Sequence, residues 1–258
     1  MKLISLMYHD IETASTARRY SFSIREFKEH LSAIKAVVGL PPAVPGDDGG
    51  SGYALTFDDG HVGWLQAAEA LQELKWKASF FVITGRVGKA GALDGSVIRR
   101  IAGMGHVIGS HSVDHPFRIS SRDDAFILDQ WSRSKASLED ILGREVTSAS
   151  VPGGFYSAKV GRAAEAAGLR HLFTSEPVAT SWDVGACRIF GRFALTNGMS
   201  SRRIARIAAG ARLEHSGQYL AWNLKKALKS IMMKPYLALR QRIYDLPGGF
   251  GDRRRSES

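Results

Sequence analysis

The chain has 258 residues, 44% of them hydrophobic and 23% charged, and a formal net charge of +10. This balance is ordinary for a folded globular protein and excludes collagen-like, disordered and disulfide-scaffold classes. The length suits one large α/β domain or two small ones, and the single cysteine, Cys187, leaves no internal disulfide, which fits a reducing compartment.

No stretch approaches the ~18 consecutive apolar residues of a membrane span. Residues 1–10 carry one basic residue and a short apolar run that reaches polar residues at once, so they read as a first strand rather than a secretory signal. A cytoplasmic location is therefore expected. Leu3 to Met7 suits a buried strand. Ser23 precedes Ile24, Phe27, Leu31, Ile34 and Val38, with Glu26 three residues on, which predicts a capped helix with an apolar stripe. Residues 39–52, rich in Gly and Pro, read as a loop.

Tyr53 to Phe57 predicts a second strand ending in Asp58-Asp59-Gly60, and a helix follows with Trp64, Ala67, Ala68 and Leu71 on one face. Strands are expected at 78–83, from Val107, at 149–151 and at 172–174. Helices are expected at 97–104, from Asp123 or Asp124 to Leu142, and at 158–167. Strand and helix alternate to about residue 200, which favours a parallel sheet wrapped by helices, either a barrel or a doubly wound sheet. Beyond it, two helical stretches are expected, roughly 201–213 and 217–243, and residues 247–258 read as a frayed end.

The charge is uneven. Residues 1–200 carry 22 Lys and Arg against 21 Asp and Glu, whereas residues 201–258 carry 13 against 4. Such a tail suits an anionic partner, and residues 217–246, which set Trp222 and lysines beside apolar side chains, could lie on an anionic membrane surface. No nucleic acid is expected, because no recognised module accompanies the charge.

The chemistry-bearing residues follow apolar runs. Asp58 and Asp59 come directly after Tyr53–Phe57, and His111 and His115 come after Val107–Gly109. In parallel α/β folds the carboxyl ends of strands share one face, and sites form there. Two imidazoles four residues apart can reach one ion, and one carboxylate completes a two-His-one-carboxylate set with open positions. Adjacent residues on a strand point opposite ways, so one aspartate can bind metal while the other stands free as a base. That is the equipment of an amide or ester hydrolase.

Thr56-Phe57-Asp58-Asp59-Gly60 together with His111-Ser112-Val113-Asp114-His115 resembles the first two motifs of the polysaccharide deacetylase family, the NodB-homology carbohydrate esterases. Ser79-Phe80-Phe81-Val82 and Gly105-His106-Val107-Ile108-Gly109-Ser110 agree with that context. The resemblance covers about residues 1–200 and implies a distorted (β/α) barrel followed by a C-terminal helical extension over 201–246. It implies one divalent metal ion, usually zinc, on Asp59, His111 and His115, with Asp58 as general base. The reaction implied is removal of N- or O-acetyl groups from a sugar.

Three features depart from the family pattern. The third motif usually carries Arg two residues before its Pro; here Ser150 stands there, ahead of Pro152-Gly153-Gly154-Phe155. Gly153, Gly154 and Phe155 are the expected oxyanion and substrate-binding segment. The late Leu-x-His that normally supplies the general acid is absent. Tyr8-His9-Asp10 follows the first strand, as in exopolysaccharide-associated members, and His9 is expected to supply the acid, with Asp10 orienting it. The expected substrate is an acetylated carbohydrate, an intermediate of exopolysaccharide or surface-glycan synthesis. The alternatives are a small acyl-amide hydrolase on the same fold and an inactive glycan-binding barrel.

Overall fold

The computed structural model describes residues 2–12, 18–45 and 52–224. Residues 1–216 form one compact unit; of the second unit, 217–258, residues 217–224 are described and are helical. The basic stretch from 225 onward, and with it most of the expected membrane-facing helix and the tail at 247–258, lies outside the described residues.

In chain order the first unit carries β1 (Leu3–Tyr8), β2 (Asp10–Glu12), β3 (Ser21–Ser23), α1 (Ile24–Val38), β4 (Gly52–Asp59), α2 (Trp64–Glu73), β5 (Ser79–Val82), α3 (Gly95–Gly103) and β6 (Val107–Ser110). It continues through α4 (Asp124–Leu142), β7 (Ser148–Ser150), α5 (Ala158–Ala166), β8 (His171–Phe173), β9 (Trp182–Val184), β10 (Cys187–Phe190), β11 (Arg192–Ala194) and α6 (Ser201–Ala208). The elements expected up to residue 174 are present within a few residues of their predicted ends. The expected capping box is formed. Ser23 Oγ accepts from the Glu26 N–H at 3.2 Å, and Glu26 Oε2 accepts from the Ser23 N–H at 2.8 Å. Helix α6 packs on α1, so the compact unit runs past residue 200 to 216. The helix expected over 201–213 stops at Ala208, and Gly210, at φ 81°, turns the chain before helical residues resume at 212.

The main sheet has the order β11-β1-β4-β5-β6-β7-β8-β10-β9, and every neighbouring pair is parallel except β10 with β9. Strands β10 and β11 are one stretch of chain, Cys187–Ala194, interrupted only at Gly191. Its first half pairs with β8 and its second half with β1. The two ends of the ladder are therefore joined by covalent chain, and the strands make a barrel whose seam is Gly191. A Cβ at Gly191 would lie 2.4 Å from both the Glu176 and the Val178 carbonyl oxygens, so only glycine passes there.

Strands β1, β5 and β7 are buried at every position, as strands between a barrel interior and a helix layer must be. Inside the ring Leu3, Ala54, Phe81, Phe173 and Phe190, one from each of five strands, form a separate apolar cluster. Outside it, two larger clusters bind the sheet to its helices; Trp64 is fully buried and Trp76 nearly so in one, and Trp131 is fully buried in the other.

Candidate active site

Strand β4 carries Ala54, Thr56 and Asp58 at successive alternate positions, so they share the inward face. Asp58 sits above the apolar floor and is buried. Arg192 of β11, itself fully buried, meets it with both arms. Nη1 donates to Oδ1 at 2.7 Å and Nη2 to Oδ2 at 2.8 Å. Arg192 also donates to Ser150 Oγ at 2.7 Å, to the Thr174 carbonyl at 2.9 Å and to Thr56 Oγ1 at 3.3 Å, and its guanidinium lies between Phe81 and Phe173, 5.8 and 6.0 Å from their ring centres. Ser150 Oγ in turn donates to Asp58 Oδ2 at 3.1 Å. Burial alone pushes the Asp58 carboxyl up; the Arg192 and His111 charges outweigh it and hold the group below the usual carboxylate range.

Arg192 escapes a motif search, because the arginine expected at position 150 comes instead from a strand 42 residues later. A signal exists all the same: Ile189-Phe190-Gly191-Arg192-Phe193-Ala194-Leu195 is an apolar run with one charge. A lone cation in such a run implies a buried anion facing it.

Asp59 is next on β4, and on a regular strand it would face away from Asp58. Its φ of 90° takes it out of strand geometry and turns the side chain toward the histidines. Asp59 Oδ1 lies 3.3 Å from His111 Nε2 and 3.7 Å from His115 Nε2. The three donor atoms fall within 4.8 Å of one another. His111 Nδ1 donates to the Ser150 carbonyl at 2.9 Å, which leaves the Nε2 lone pair facing Asp59, the tautomer a metal ligand needs. Burial lowers the His111 pKa, but the Asp58 and Asp59 carboxylates outweigh it and raise it; that negative field equally suits a cation. His115 is held low by burial and by His111. Two imidazoles and one carboxylate in this arrangement fit a divalent ion with open positions.

The loop that carries the histidines is fixed from three sides. Val113 and Asp114 N–H both donate to Gln130 Oε1 at 3.1 Å, and Gln130 Nε2 donates to Asp114 Oδ2 at 2.9 Å. His115 N–H donates to Ser112 Oγ at 3.0 Å, and the Thr84 and Gly85 N–H groups donate to the Ser112 and Val113 carbonyls at 3.1 and 2.9 Å. Ser112 and His115 have φ of 64° and 49°, a left-handed backbone that this bonding sustains. Asp114, which lies between the histidines in sequence, is thus part of the loop's own framework.

His9 leaves the end of β1 at the same mouth. Its carbonyl accepts from Trp64 Nε1 at 2.8 Å, and its ring stacks on Tyr20 at 4.8 Å. Burial lowers its pKa while Asp58 and Asp59 pull against that; Nδ1 is buried with no hydrogen-bond partner among the described residues. Asp10 does not orient it: its carboxylate accepts from Ser21 Oγ at 3.3 Å and lies 3.6 Å from Arg18.

Gly153 and Gly154 follow Ser150 in a tight turn with φ of 64° and 70°. A Cβ on Gly154 would lie 2.7 Å from Ser175. Phe155 packs edge-to-face with Phe117, a residue 72% exposed, at 5.6 Å, and Arg118 lies over the Phe155 ring at 5.2 Å. Elsewhere, His106 is buried between the Ala78 N–H and the Ala68 carbonyl, a packing role.

Residues 46–172 match the family model described as polysaccharide deacetylase. A Bacillus subtilis (strain 168) protein named as a polysaccharide deacetylase, YxkH, is 26% identical over 210 residues, 77% of this chain and 73% of that one. Among solved structures, the Streptococcus pyogenes deacetylase PplD in complex with acetate superposes with a TM-score of 0.72 at 21% identity, over 81% of this chain and 98% of that one. IcaB from Ammonifex degensii superposes at 0.67 and 23% identity, over 80% and 97%.

Proposed function

We propose, from the premise that this chain carries a polysaccharide deacetylase domain of the NodB-homology family and is a carbohydrate deacetylase, that its substrate is an N-acetylated (or O-acetylated) sugar made during exopolysaccharide or surface-glycan synthesis. Asp58 is the general base and His9 the general acid; Asp59, His111 and His115 hold one divalent ion, zinc. The observation that carries this reading is the buried Asp58–Arg192 fork set beside the Asp59–His111–His115 group, with His111 Nε2 3.8 Å from Asp58 Oδ2.

The chain's own groups account for the proton traffic. Asp58, ionised by its arginine, takes a proton from the attacking water as the new C–O bond forms. Protonated His9 gives its proton to the leaving nitrogen as the C–N bond breaks, so that free amine and acetate are the products. A proton returned from Asp58 to His9 resets both. The turn at Gly153, Gly154 and Phe155 is assigned to the oxyanion and the substrate, with the Gly154 N–H also reaching the Val151 carbonyl at 3.4 Å. A divalent ion in the Asp59–His111–His115 site supplies Lewis acidity and lowers the pKa of water there. We place the enzyme in the cytoplasm, with the basic residues 217–246 against an anionic membrane surface.

Elemental analysis of tag-free protein, paired with acetate release from acetylated chito-oligosaccharides, tests the site. One ion per chain, lost in His111→Ala and kept in an inactive Asp58→Asn protein, is expected. A folded protein that takes up neither zinc nor cobalt, or an Asp58→Asn variant with undiminished turnover, overturns the assignment.

A further inference from the structure

A cleft of about 530 Å³ opens beside Asp59, lined also by Asp10, Arg18, His61, Arg86 and Lys89. We propose that it is a subsite for a negatively charged group on the acetylated sugar, a phosphate, diphosphate or carboxylate, gripped by Arg86 and Lys89. The proposal rests on the deacetylase reading and narrows its substrate to an anionic glycan or sugar phosphate.

The two cations stand on a loop tied to both halves of the catalytic machinery. On one side the Thr84 and Gly85 N–H groups donate to the Ser112 and Val113 carbonyls of the histidine loop. On the other, the Leu93 N–H donates to the Gly60 carbonyl at 3.0 Å and the Val62 N–H to the Gly91 carbonyl at 3.1 Å, directly after Asp58-Asp59. Inside the loop, Arg86 N–H bonds the Ile83 carbonyl and Lys89 N–H the Arg86 carbonyl, at 3.0 and 2.9 Å. A Cβ at Gly85 would lie 2.6 Å from the Val113 carbonyl oxygen, so the close seating of this loop depends on glycine. Arg86 and Lys89 are thus held on a fixed backbone against the site, although their tips are exposed.

The charge balance of the cleft is equally specific. Of its two carboxylates, Asp10 lies 3.6 Å from Arg18, which is shared with Glu12 outside the cleft, and Asp59 faces the two histidines, so the lining carries three cations against two acids. Arg86 and Lys89 form no ion pair with any described residue. Two uncommitted cations beside the reacting centre attract and orient an oxyanion on the substrate, and the arginine fork matches phosphate and carboxylate alike.

The test compares kcat/KM for acetate release by the metal-loaded full chain on four substrates. Two are neutral, a methyl glycoside of N-acetylglucosamine and N-acetylchitohexaose. Two are anionic, uridine diphosphate-linked N-acetylglucosamine and a disaccharide of glucuronate and N-acetylglucosamine. At least one anionic substrate is expected to exceed the neutral ones by about tenfold, as two partly exposed charge contacts allow, with the margin shrinking in high salt. The anionic-to-neutral ratio is read within each protein, so a general loss of rate does not enter it. It should fall toward one in Arg86→Ala/Lys89→Ala and below one in Arg86→Glu/Lys89→Glu. Preference for the diphosphate or for the glucuronate identifies the source of the charge. A ratio of one in the wild type, or a ratio unmoved by charge reversal, overturns the subsite while turnover of the neutral sugars leaves the deacetylase reading standing. No acetate release from any of the four substrates overturns the deacetylase reading, and the subsite with it.

Discussion

Replacing Arg192 by Met removes both arms of the fork on Asp58, together with the bonds to Ser150 and Thr174, from a fully buried position. The carboxylate is then left in a dry site without its counter-charge, and breaking a buried pair in this way costs about 3–5 kcal/mol. The companion variant Arg192→Met/Asp58→Asn leaves no unpaired charge and should recover much of that loss, giving a coupling of ~2 kcal/mol or more in the double-mutant cycle. Guanidinium denaturation of the metal-loaded proteins measures it. The catalytic consequence has a definite sign. In the wild type Asp58 is held below the usual carboxylate range against the upward push of burial. Without Arg192 the burial effect stands, so the acid limb of kcat/KM moves to higher pH, and Arg192→Lys, which keeps the charge but not the fork, falls between. A single-variant loss under ~1 kcal/mol with an unmoved acid limb would refute the idea that Arg192 holds the base.

Two further outcomes follow. His9→Gln should slow amide hydrolysis by about 10²–10⁴ while metal content stays intact, yet leave an aryl acetate with a good leaving group nearly unaffected; equal losses on both substrates would remove His9 from the acid role. His30, buried beside Tyr8 and Phe22, has its pKa pushed down to about 4 by burial. The unfolded chain takes up that proton near pH 6.5, so stability should fall by about 3 kcal/mol as pH drops from 6.5 to 4 and then level off. Urea melts of the wild type and His30→Leu should differ by that slope, and parallel curves would contradict it.

The legible parts of this molecule are those whose signals are local. The Ser23–Glu26 capping box, the apolar run into Asp58-Asp59 and the run into His111 each announce themselves within a few residues, and together they locate the mouth of the barrel. Strands β2, β3, β9, β10 and β11 are three or four residues long, too short for periodicity, and none of them follows a helix as the equally short β7 and β8 do, so no alternation marks them. The support of the base was hidden for a related reason. Asp58 and Arg192 are 134 residues apart, and only the ring brings them face to face. The orientation of Asp59 depends on a backbone angle, φ 90°, that strand alternation does not supply. Adjacency to His9 marks Asp10 as its orienting partner, but Arg18 lies 3.6 Å from that carboxylate and claims it.

The seam at Gly191 puts two duties on consecutive residues. The peptide that sews the last strand to the first is followed at once by the guanidinium that holds the Asp58 carboxyl low. A ring that came unstitched there would withdraw Arg192 from Asp58 in the same motion, so an opened form would leave that carboxylate without its counter-charge. Barrel closure and the pairing of the buried carboxylate are thus one event: a chain that has completed its circle has also brought Arg192 onto Asp58.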